Sequence, residues 1–180
     1  MAPDERRKAI IDAVIPLLVQ HGPTVTTKQI AEAAGIAEGT IFRAFPDKDS
    51  LIRAAIEAVL DREPLEQAFG EIDPDLPFED ALREAVALIQ ERSLRVWRLA
   101  SAVGPRFHDA SRKGMTISPG LTDLCKAHRA QLAVVPAEAA QVLNSLTVAL
   151  SHPTLIDRPM KPAAIVQRFL HGVTKGGASC

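Results

Sequence analysis

Apolar residues along most of the chain recur every three or four positions, which is the spacing of one face of an α-helix. In residues 4–21, for example, Ile10, Val14 and Leu17 repeat at this spacing. Gly22 and Pro23 then end the pattern, as these residue types do at the ends of helices. Strand-type alternation is scarce, so the pattern predicts an all-α fold.

The next segment predicts a pair of short helices. Thr26 and Gln29 have the spacing of a capping box, and Gly35 suits the left-handed conformation that ends many helices. A second short helix is expected over residues 38–44, and a longer one over 48–62. Two helices joined by a short turn with Gly form a helix-turn-helix, whose second helix enters the major groove of DNA.

The rest of the chain predicts a second helical region. Pro64 should close the first region, and a loop bracketed by two further prolines should follow. The expected helices then cover residues 78–103, 105–113, 121–132, 136–151 and 162–173. We therefore predict two domains: a helix-turn-helix DNA-binding domain over residues 1–60, which includes the first part of the fourth helix, and a helical ligand-binding and dimerisation domain over 61–180.

Composition indicates a globular protein but does not identify its function. Of 180 residues, 47% are hydrophobic and 24% charged, which is an ordinary globular balance. The 21 basic residues against 22 acidic ones leave no overall positive field, so composition neither indicates nor excludes nucleic-acid binding. We find no apolar run as long as a membrane span, no secretory signal and only two distant cysteines, Cys125 and Cys180. These features predict a cytoplasmic protein without a membrane partner.

The sequence lacks the motifs that are typical of catalysis and of metal binding. It contains no nucleophile elbow, no Gly-rich phosphate loop and no zinc signature, and its five histidines lack tight spacing with Cys or acidic residues. We therefore predict that the chain is not an enzyme and that it has no catalytic residues, cofactor or metal site.

Residues 10–59 resemble the DNA-binding end of the tetracycline-repressor (TetR) family of bacterial regulators. The matching residues stand in register along this segment: Ile11-Asp12-Ala13, Leu17-Leu18, Gly22, Thr26-Thr27, Ile30-Ala31-Glu32, Ala34-Gly35-Ile36, Gly39-Thr40-Ile41-Phe42, Phe45, Lys48 and Leu51. The resemblance implies an all-helical homodimer with an N-terminal three-helix DNA-binding domain. It also implies a variable C-terminal domain that binds a small molecule and pairs the subunits through its last two helices.

The same resemblance implies which residues contact DNA. Arg43 is the expected base reader, since an arginine that forks onto guanine contributes about 1–3 kcal/mol of discrimination. Thr40 should donate to phosphate, and Gly39 should let the recognition helix approach the duplex. Glu38 has two interpretations, an acid favoured by the helix dipole or an acceptor for cytosine N4. The full predicted set is Thr27, Lys28, Glu38, Gly39, Thr40, Phe42, Arg43 and Lys48.

Several residues depart from the family pattern. Ala37 replaces a capping Ser or Thr, Glu38 replaces a basic or neutral polar residue, Phe42 replaces a tyrosine, and Ala44 replaces a bulky residue. Residues 1–60 carry seven basic side chains against eight acidic ones. Arg6 and Arg7 could add phosphate contacts, but we expect weak nonspecific binding and a modest salt dependence per subunit.

The C-terminal half offers weaker candidates. Trp97, Phe107 and His108 could line a ligand pocket, although an aromatic residue at helical spacing is more often plain core. Two apolar stripes on the last helices predict a self-paired interface, with the alternative that they cover the domain's own core. The predicted interface residues are Val142, Leu143, Leu146, Leu150, Ile165, Val166, Phe169 and Leu170.

Together these observations predict a DNA-binding transcriptional regulator. We expect a repressor that responds to a small molecule of apolar character and that binds an inverted repeat in double-stranded DNA as a homodimer. The alternative is a helical ligand-binding or adaptor protein whose DNA-binding domain has weakened.

Overall fold

The computed structural model describes residues 2–110, 118–153 and 155–173, and within these ranges it contains α-helices and no β-strand. The helices are α1 (Pro3–His21), α2 (Thr27–Ala34), α3 (Glu38–Ala44), α4 (Lys48–Leu60), α5 (Glu63–Gly70), α6 (Phe78–Val103), α7 (Pro105–Ala110), α8 (Pro119–Ala127), α9 (Pro136–Ala149) and α10 (Pro162–Val173). Two 3₁₀ turns accompany them, Gly22–Thr24 and Arg129–Gln131. The predicted all-α fold class is confirmed.

The caps of the N-terminal helices follow from local sequence. The Thr26 hydroxyl accepts from the Gln29 backbone N–H at 3.2 Å, and the Gln29 side chain accepts from the Thr26 N–H at 2.8 Å. Gly35 ends α2 at φ 64°, the left-handed conformation that Gly adopts without strain. Asp47 caps α4 by accepting from the Ser50 N–H at 2.7 Å. That backbone hydrogen bond lowers the pKa of the Asp47 carboxyl.

The chain divides into two compact units. The first contains α1 to α4, up to Asp61, and also the part of the chain from Arg95 through α7. Its core is built from the apolar stripe of α1 and from the inward faces of the other helices, namely Ile10, Val14, Leu18, Ile30, Ala31, Ile41, Phe45, Leu51, Ile52, Ala55, Leu99, Val103 and Phe107. The predicted boundary between the domains, at residues 60 and 61, did not include the segment that begins at Arg95 in the first unit.

The second unit contains Arg62–Leu94 and the described residues that follow α7. Its core includes Phe69, Phe78, Leu82, Val86, Ile89, Leu121, Cys125, Leu132, Leu143, Ile165, Val166 and Phe169. One buried polar group is satisfied inside it, because the Gln90 amide donates to the Ser151 hydroxyl at 2.7 Å and to the Met160 carbonyl at 2.8 Å.

Two predicted boundaries were wrong. Helix α5 was not predicted: Pro64, which was expected to close the first region, lies in the first turn of this helix, where the N–H that proline lacks has no helical partner to lose. The helix predicted over residues 121–132 begins earlier, at Pro119, and ends at Ala127, and the 3₁₀ turn at Arg129–Gln131 follows it. Residues 111–113, at the end of the predicted 105–113 helix, lie outside the described residues.

Gly22 shows how tightly the first unit is packed. It has φ 59° and ψ −154°, a region that is essentially restricted to glycine, and a Cβ placed there would lie 3.0 Å from the Ala102 carbonyl oxygen. We expect Gly22→Ala to lower the free energy of unfolding by about 2 kcal/mol or more. In a chain of this size that corresponds to a fall in melting temperature of about 4–8 °C, measurable by circular dichroism.

Gly39→Ala is the matched control for this experiment. Gly39 lies inside α3, and a Cβ there would meet no atom within 4 Å. Because Ala is the better helix former by about 0.5–1 kcal/mol, this variant should melt at the same temperature as the parent or above it. Equal losses from both substitutions would contradict the assignment of strain to Gly22.

Candidate nucleic-acid interface

The helix pair α2–α3 is built as the sequence predicts. Ile30 and Ala31 of α2 and Ile41 of α3 are buried in the core of the first unit, which fixes the pair against α1. The opposite side of α3 is open to solvent. Phe42 on that side is 52% exposed, which is unusual for so large an apolar side chain. The arrangement supplies the geometry of a helix-turn-helix with an exposed recognition helix.

Three polar side chains of this surface are not engaged with any residue that the structure describes. Lys28 and Arg43 are exposed and Thr40 is half-buried, and none of the three side chains forms a hydrogen bond or ion pair in the described part of the chain. Gly39 lies next to Thr40 with no atom within 4 Å of an added Cβ. An ammonium, a guanidinium and a hydroxyl are thus available to phosphate oxygens and base edges.

Thr27 and Glu38, by contrast, bind each other. The Thr27 hydroxyl donates to a carboxylate oxygen of Glu38, which joins the first residue of α2 to the first residue of α3. Ala37, the N-cap of α3, makes no side-chain cap bond, as its identity predicts. The Thr27–Glu38 hydrogen bond therefore holds the start of the recognition helix in the absence of a cap.

Lys48 also forms a hydrogen bond within the protein. Its ammonium donates to the Pro23 carbonyl at 2.6 Å and is partly buried, which ties the start of α4 to the 3₁₀ turn Gly22–Thr24. A lysine ammonium has three donors, so two remain for a phosphate. The predicted phosphate contact at Lys48 stays a prediction, with a structural role beside it.

Arg7 performs a role that sequence reasoning missed. Its guanidinium donates to the carbonyl of Ala44, the last residue of α3, at 2.7 Å and lies 4.1 Å from the centre of the Phe45 ring. A cation at a helix C-terminus and over an aromatic face is favourable on both counts. Arg7 thus anchors the end of the recognition helix, and this contact spans 37 residues, for which no local sequence signal exists.

Two of the three residues predicted to bind a ligand have described side chains, and both lie in the first unit. Phe107 is only 7% exposed and belongs to the core of the first unit, and its role as a pocket wall stays a prediction. Trp97 is half-buried in the same unit. The side chain of His108 lies outside what the structure describes.

Two surface grooves in the described part of the second unit are lined by residues other than those predicted to bind a ligand. One, of about 390 Å³, is lined by Ala68, Glu71, Ile72, Glu84, Ala87, Leu88 and Glu91. The other, of about 590 Å³, follows the outer face of α9 and is lined by Glu138, Gln141, Val142, Ser145 and Leu146. The first has a volume in the range of small-molecule sites.

The predicted dimer residues divide into two groups. Leu143, Ile165, Val166 and Phe169 are covered by the core of their own chain, with at most 1% of each exposed. These four side chains have no exposed surface that could contact a partner. For them the structure agrees with the alternative interpretation, that they pack in the core of their own domain. The remaining four keep part of their surface: Val142, which is 39% exposed, and Leu146, Leu150 and Leu170, which are half-buried.

Cys125 is fully buried in the second unit, and this burial raises the pKa of its thiol to about 11. In a Cys180→Ser variant, in which Cys125 is the remaining thiol, we expect reaction with a disulfide reagent at pH 8 to be slow in the native protein and rapid in denaturant. Because the pKa of the folded thiol lies above its ordinary value of 9.0, the stability that this thiol contributes is present below pH 9 and lost as the pH rises toward 11. Rapid stoichiometric labelling of the native variant would contradict the burial.

The described residues also bear on metal binding and on membrane insertion. The described residues contain no group of three or more His, Cys, Asp or Glu side chains that could hold a metal ion. None of the described helices combines the length and the apolar character that a membrane crossing requires.

Comparison with known proteins places the surface of α2 and α3 in context. Residues 10–55 match the family model described as bacterial regulatory proteins, tetR family. Over 87 residues the chain is 37% identical to the HTH-type transcriptional regulator YvkB of Bacillus subtilis, covering 47% of this chain and 43% of that protein. Over 86 residues it is 36% identical to the HTH-type transcriptional repressor LfrR of Mycolicibacterium smegmatis, covering 47% and 44%. The matches span less than half the length of these relatives.

A solved structure extends the likeness to the whole fold. A protein of Mesorhizobium loti assigned to the TetR family of transcriptional regulators superposes with a TM-score of 0.71 and covers 97% of this chain and 100% of its own. At 17% sequence identity this similarity concerns the fold alone. The structural match thus covers nearly the whole chain, whereas the two sequence matches each cover 47% of it.

Proposed function

We propose that this chain is a transcriptional regulator of the TetR family, whose DNA-binding domain model matches residues 10–55, and that it acts as a repressor. The observation that carries the proposal is the unengaged surface of the helix pair. Lys28, Thr40 and Arg43 offer free donors on one exposed surface, beside a glycine with open space in front of it. Such a surface suits the major groove and its flanking phosphates.

The proposed regulator is a homodimer that binds an inverted repeat, since a two-fold protein dimer requires two half-sites of matching symmetry. Support comes from Val142 and Leu146, which leave an apolar strip along the outer face of α9. Dimerisation doubles the number of DNA contacts, which compensates for the low positive charge of each DNA-binding domain.

The proposed effector is a small molecule of apolar or amphipathic character, and the proposed location of the protein is the cytoplasm. The C-terminal helices α9 and α10 are rich in Ala, Leu and Val and have few polar groups. If effector and operator oppose each other, the effector must weaken DNA binding by the same factor as DNA weakens effector binding. Effector-dependent loss of a protein–DNA complex would therefore identify the molecule.

The function is tested by selecting binding sites from a random duplex library with the purified full chain, followed by a fluorescence anisotropy titration. We expect enrichment of one inverted repeat that binds at least about 10³-fold tighter than a scrambled duplex of the same composition. The DNA immediately upstream of the gene and of its neighbours should contain a version of the repeat. A library without any enriched sequence would contradict the proposal.

A second candidate is a ligand-binding or adaptor protein with a weakened DNA-binding domain. It is favoured by the intramolecular hydrogen bonds of Thr27, Glu38 and Lys48, because polar groups that bond within the protein are less available to DNA. Thr40→Ala combined with Arg43→Ala separates the two candidates. Under the regulator proposal this double variant loses sequence-specific binding, whereas unchanged DNA affinity would favour the second candidate.

A further inference from the structure

The start of the recognition helix α3 has an unusual arrangement. Ala37 provides no cap, and the first helical residue is an acid, Glu38. Its carboxylate accepts a hydrogen bond from the Thr27 hydroxyl at the start of α2, 11 residues earlier in the chain. The contact joins the two helix starts that a helix-turn-helix directs toward DNA.

The chemistry of this pair bears on DNA binding in two ways. While the Thr27 hydroxyl donates to Glu38, its proton is not available to a phosphate oxygen. The Glu38 carboxylate is acceptor-only and negatively charged, so it is repelled by phosphates and by base edges that present acceptors. It can accept only from an amino group, such as cytosine N4 or adenine N6.

The position of Glu38 determines which bases it faces. In helix-turn-helix proteins the N-terminal residues of the recognition helix contact base edges. A carboxylate there that rotated freely would repel all DNA alike. A carboxylate fixed by Thr27 instead faces one location in the groove. It accepts a hydrogen bond when the base there presents an amino group, and it repels a duplex that presents an acceptor at that location. The hydrogen bond from Thr27 therefore makes the repulsion depend on the DNA sequence.

We propose that Glu38 is a specificity-determining residue and that Thr27 positions it, so that the pair weakens binding to nonspecific DNA more than binding to the operator. The inference rests on the proposed function, since it concerns how the same surface chooses its DNA. An acid favoured only by the helix dipole would affect the stability of α3 and leave the choice of DNA unchanged.

Three single substitutions separate the charge, the hydrogen bond and the overall change in net charge. Glu38→Gln keeps an acceptor for Thr27 and removes the charge, and Thr27→Val keeps the shape and removes the donor. Glu32→Gln is the matched control, because it removes the same charge from an exposed position of α2. Each variant is titrated by anisotropy against the duplex that the wild-type chain selects and against a scrambled duplex, from about 50 to about 200 mM salt.

We expect Glu38→Gln to steepen the salt dependence on the scrambled duplex by about one per subunit in log K against log salt. The ratio of selected to scrambled affinity should fall at least about 30-fold, because a dimer uses two such base contacts of about 1–3 kcal/mol each. Thr27→Val should lower the ratio while leaving the salt dependence as in the wild type. Glu32→Gln should change neither quantity, and thermal unfolding should show all variants folded.

The outcomes distinguish this inference from the proposed function. If the wild-type chain selects a sequence but Glu38→Gln behaves like Glu32→Gln in both salt dependence and affinity ratio, the inference is overturned and the regulator proposal stands. If the wild-type chain selects no sequence, the proposed function is overturned and the inference falls with it. A ratio lowered by Glu38→Gln and by Thr27→Val, but not by Glu32→Gln, supports both.

Discussion

Arg43→Ala should lower the affinity for the selected duplex by about 30-fold to 10⁴-fold, while affinity for a scrambled duplex falls far less. A guanidinium forked onto guanine contributes about 1–3 kcal/mol of discrimination, and a dimer uses two of them. Arg43 lies in the last turn of α3, is exposed, and is not held by any described residue, so its whole donor set is free. Competition titrations with labelled selected duplex at one salt concentration measure the effect.

Two further variants show whether Arg43 recognises bases or only grips phosphate. Arg43→Lys keeps the charge but cannot fork, so it should lose most of the specificity and little of the nonspecific affinity. Arg53→Ala removes the same charge from an exposed site on α4 and should affect both duplexes slightly and equally. If Arg43→Ala lowers both affinities by the same factor, Arg43 is a phosphate contact and its assignment as base reader is wrong.

Most of the fold could be predicted from the sequence because helix signals are local. Apolar spacing, the Thr26–Gln29 box and the left-handed Gly35 each act within a few residues, and the structure contains all three. Helix α5 was not predicted because proline can either end a helix or occupy its first turn. It ends a helix when it stands in the interior, yet it is favourable in the first turn, and Pro64 takes the second role.

The candidate site could be predicted only in outline. The register of the resemblance indicated which residues occupy the surface of α2 and α3, but not which of them are already hydrogen bonded. The contacts of Thr27, Lys48 and Arg7 span 11, 25 and 37 residues, and they depend on how helices pack and which rotamers result. Residue type and spacing do not encode these choices, so the surface carries fewer free donors than the sequence implied.

The apolar stripes of α9 and α10 show a related limit. Helical spacing identifies which residues leave water, but not whether they pack against their own chain or against a partner. Leu143 and Phe169 are fully covered within the chain, whereas Val142 is not. The proposed dimer interface therefore reduces to the outer strip of α9 with its half-buried neighbours.

Val142→Asp should convert the proposed dimer to monomers. In a two-fold interface the same residue occurs on both sides, so each dimer would bury two new carboxylates without partners. We expect a loss of at least about 3 kcal/mol, which is a dimer dissociation constant about 100-fold higher or more. Sedimentation equilibrium measures it. Affinity for the full inverted repeat should fall in parallel, because a monomer contacts one half-site.

Leu155→Asp is the matched control, since it makes the same apolar-to-acid change at a side chain that is 67% exposed and lies outside the α9 strip. It should leave both the dimer and the DNA affinity unchanged, which separates an interface effect from the effect of added negative charge on DNA binding. A Val142→Asp protein that remains dimeric would exclude this strip as the interface. Dissociation together with a retained helical spectrum would show that the exposed face of α9, and not the buried stripe beneath it, pairs the subunits.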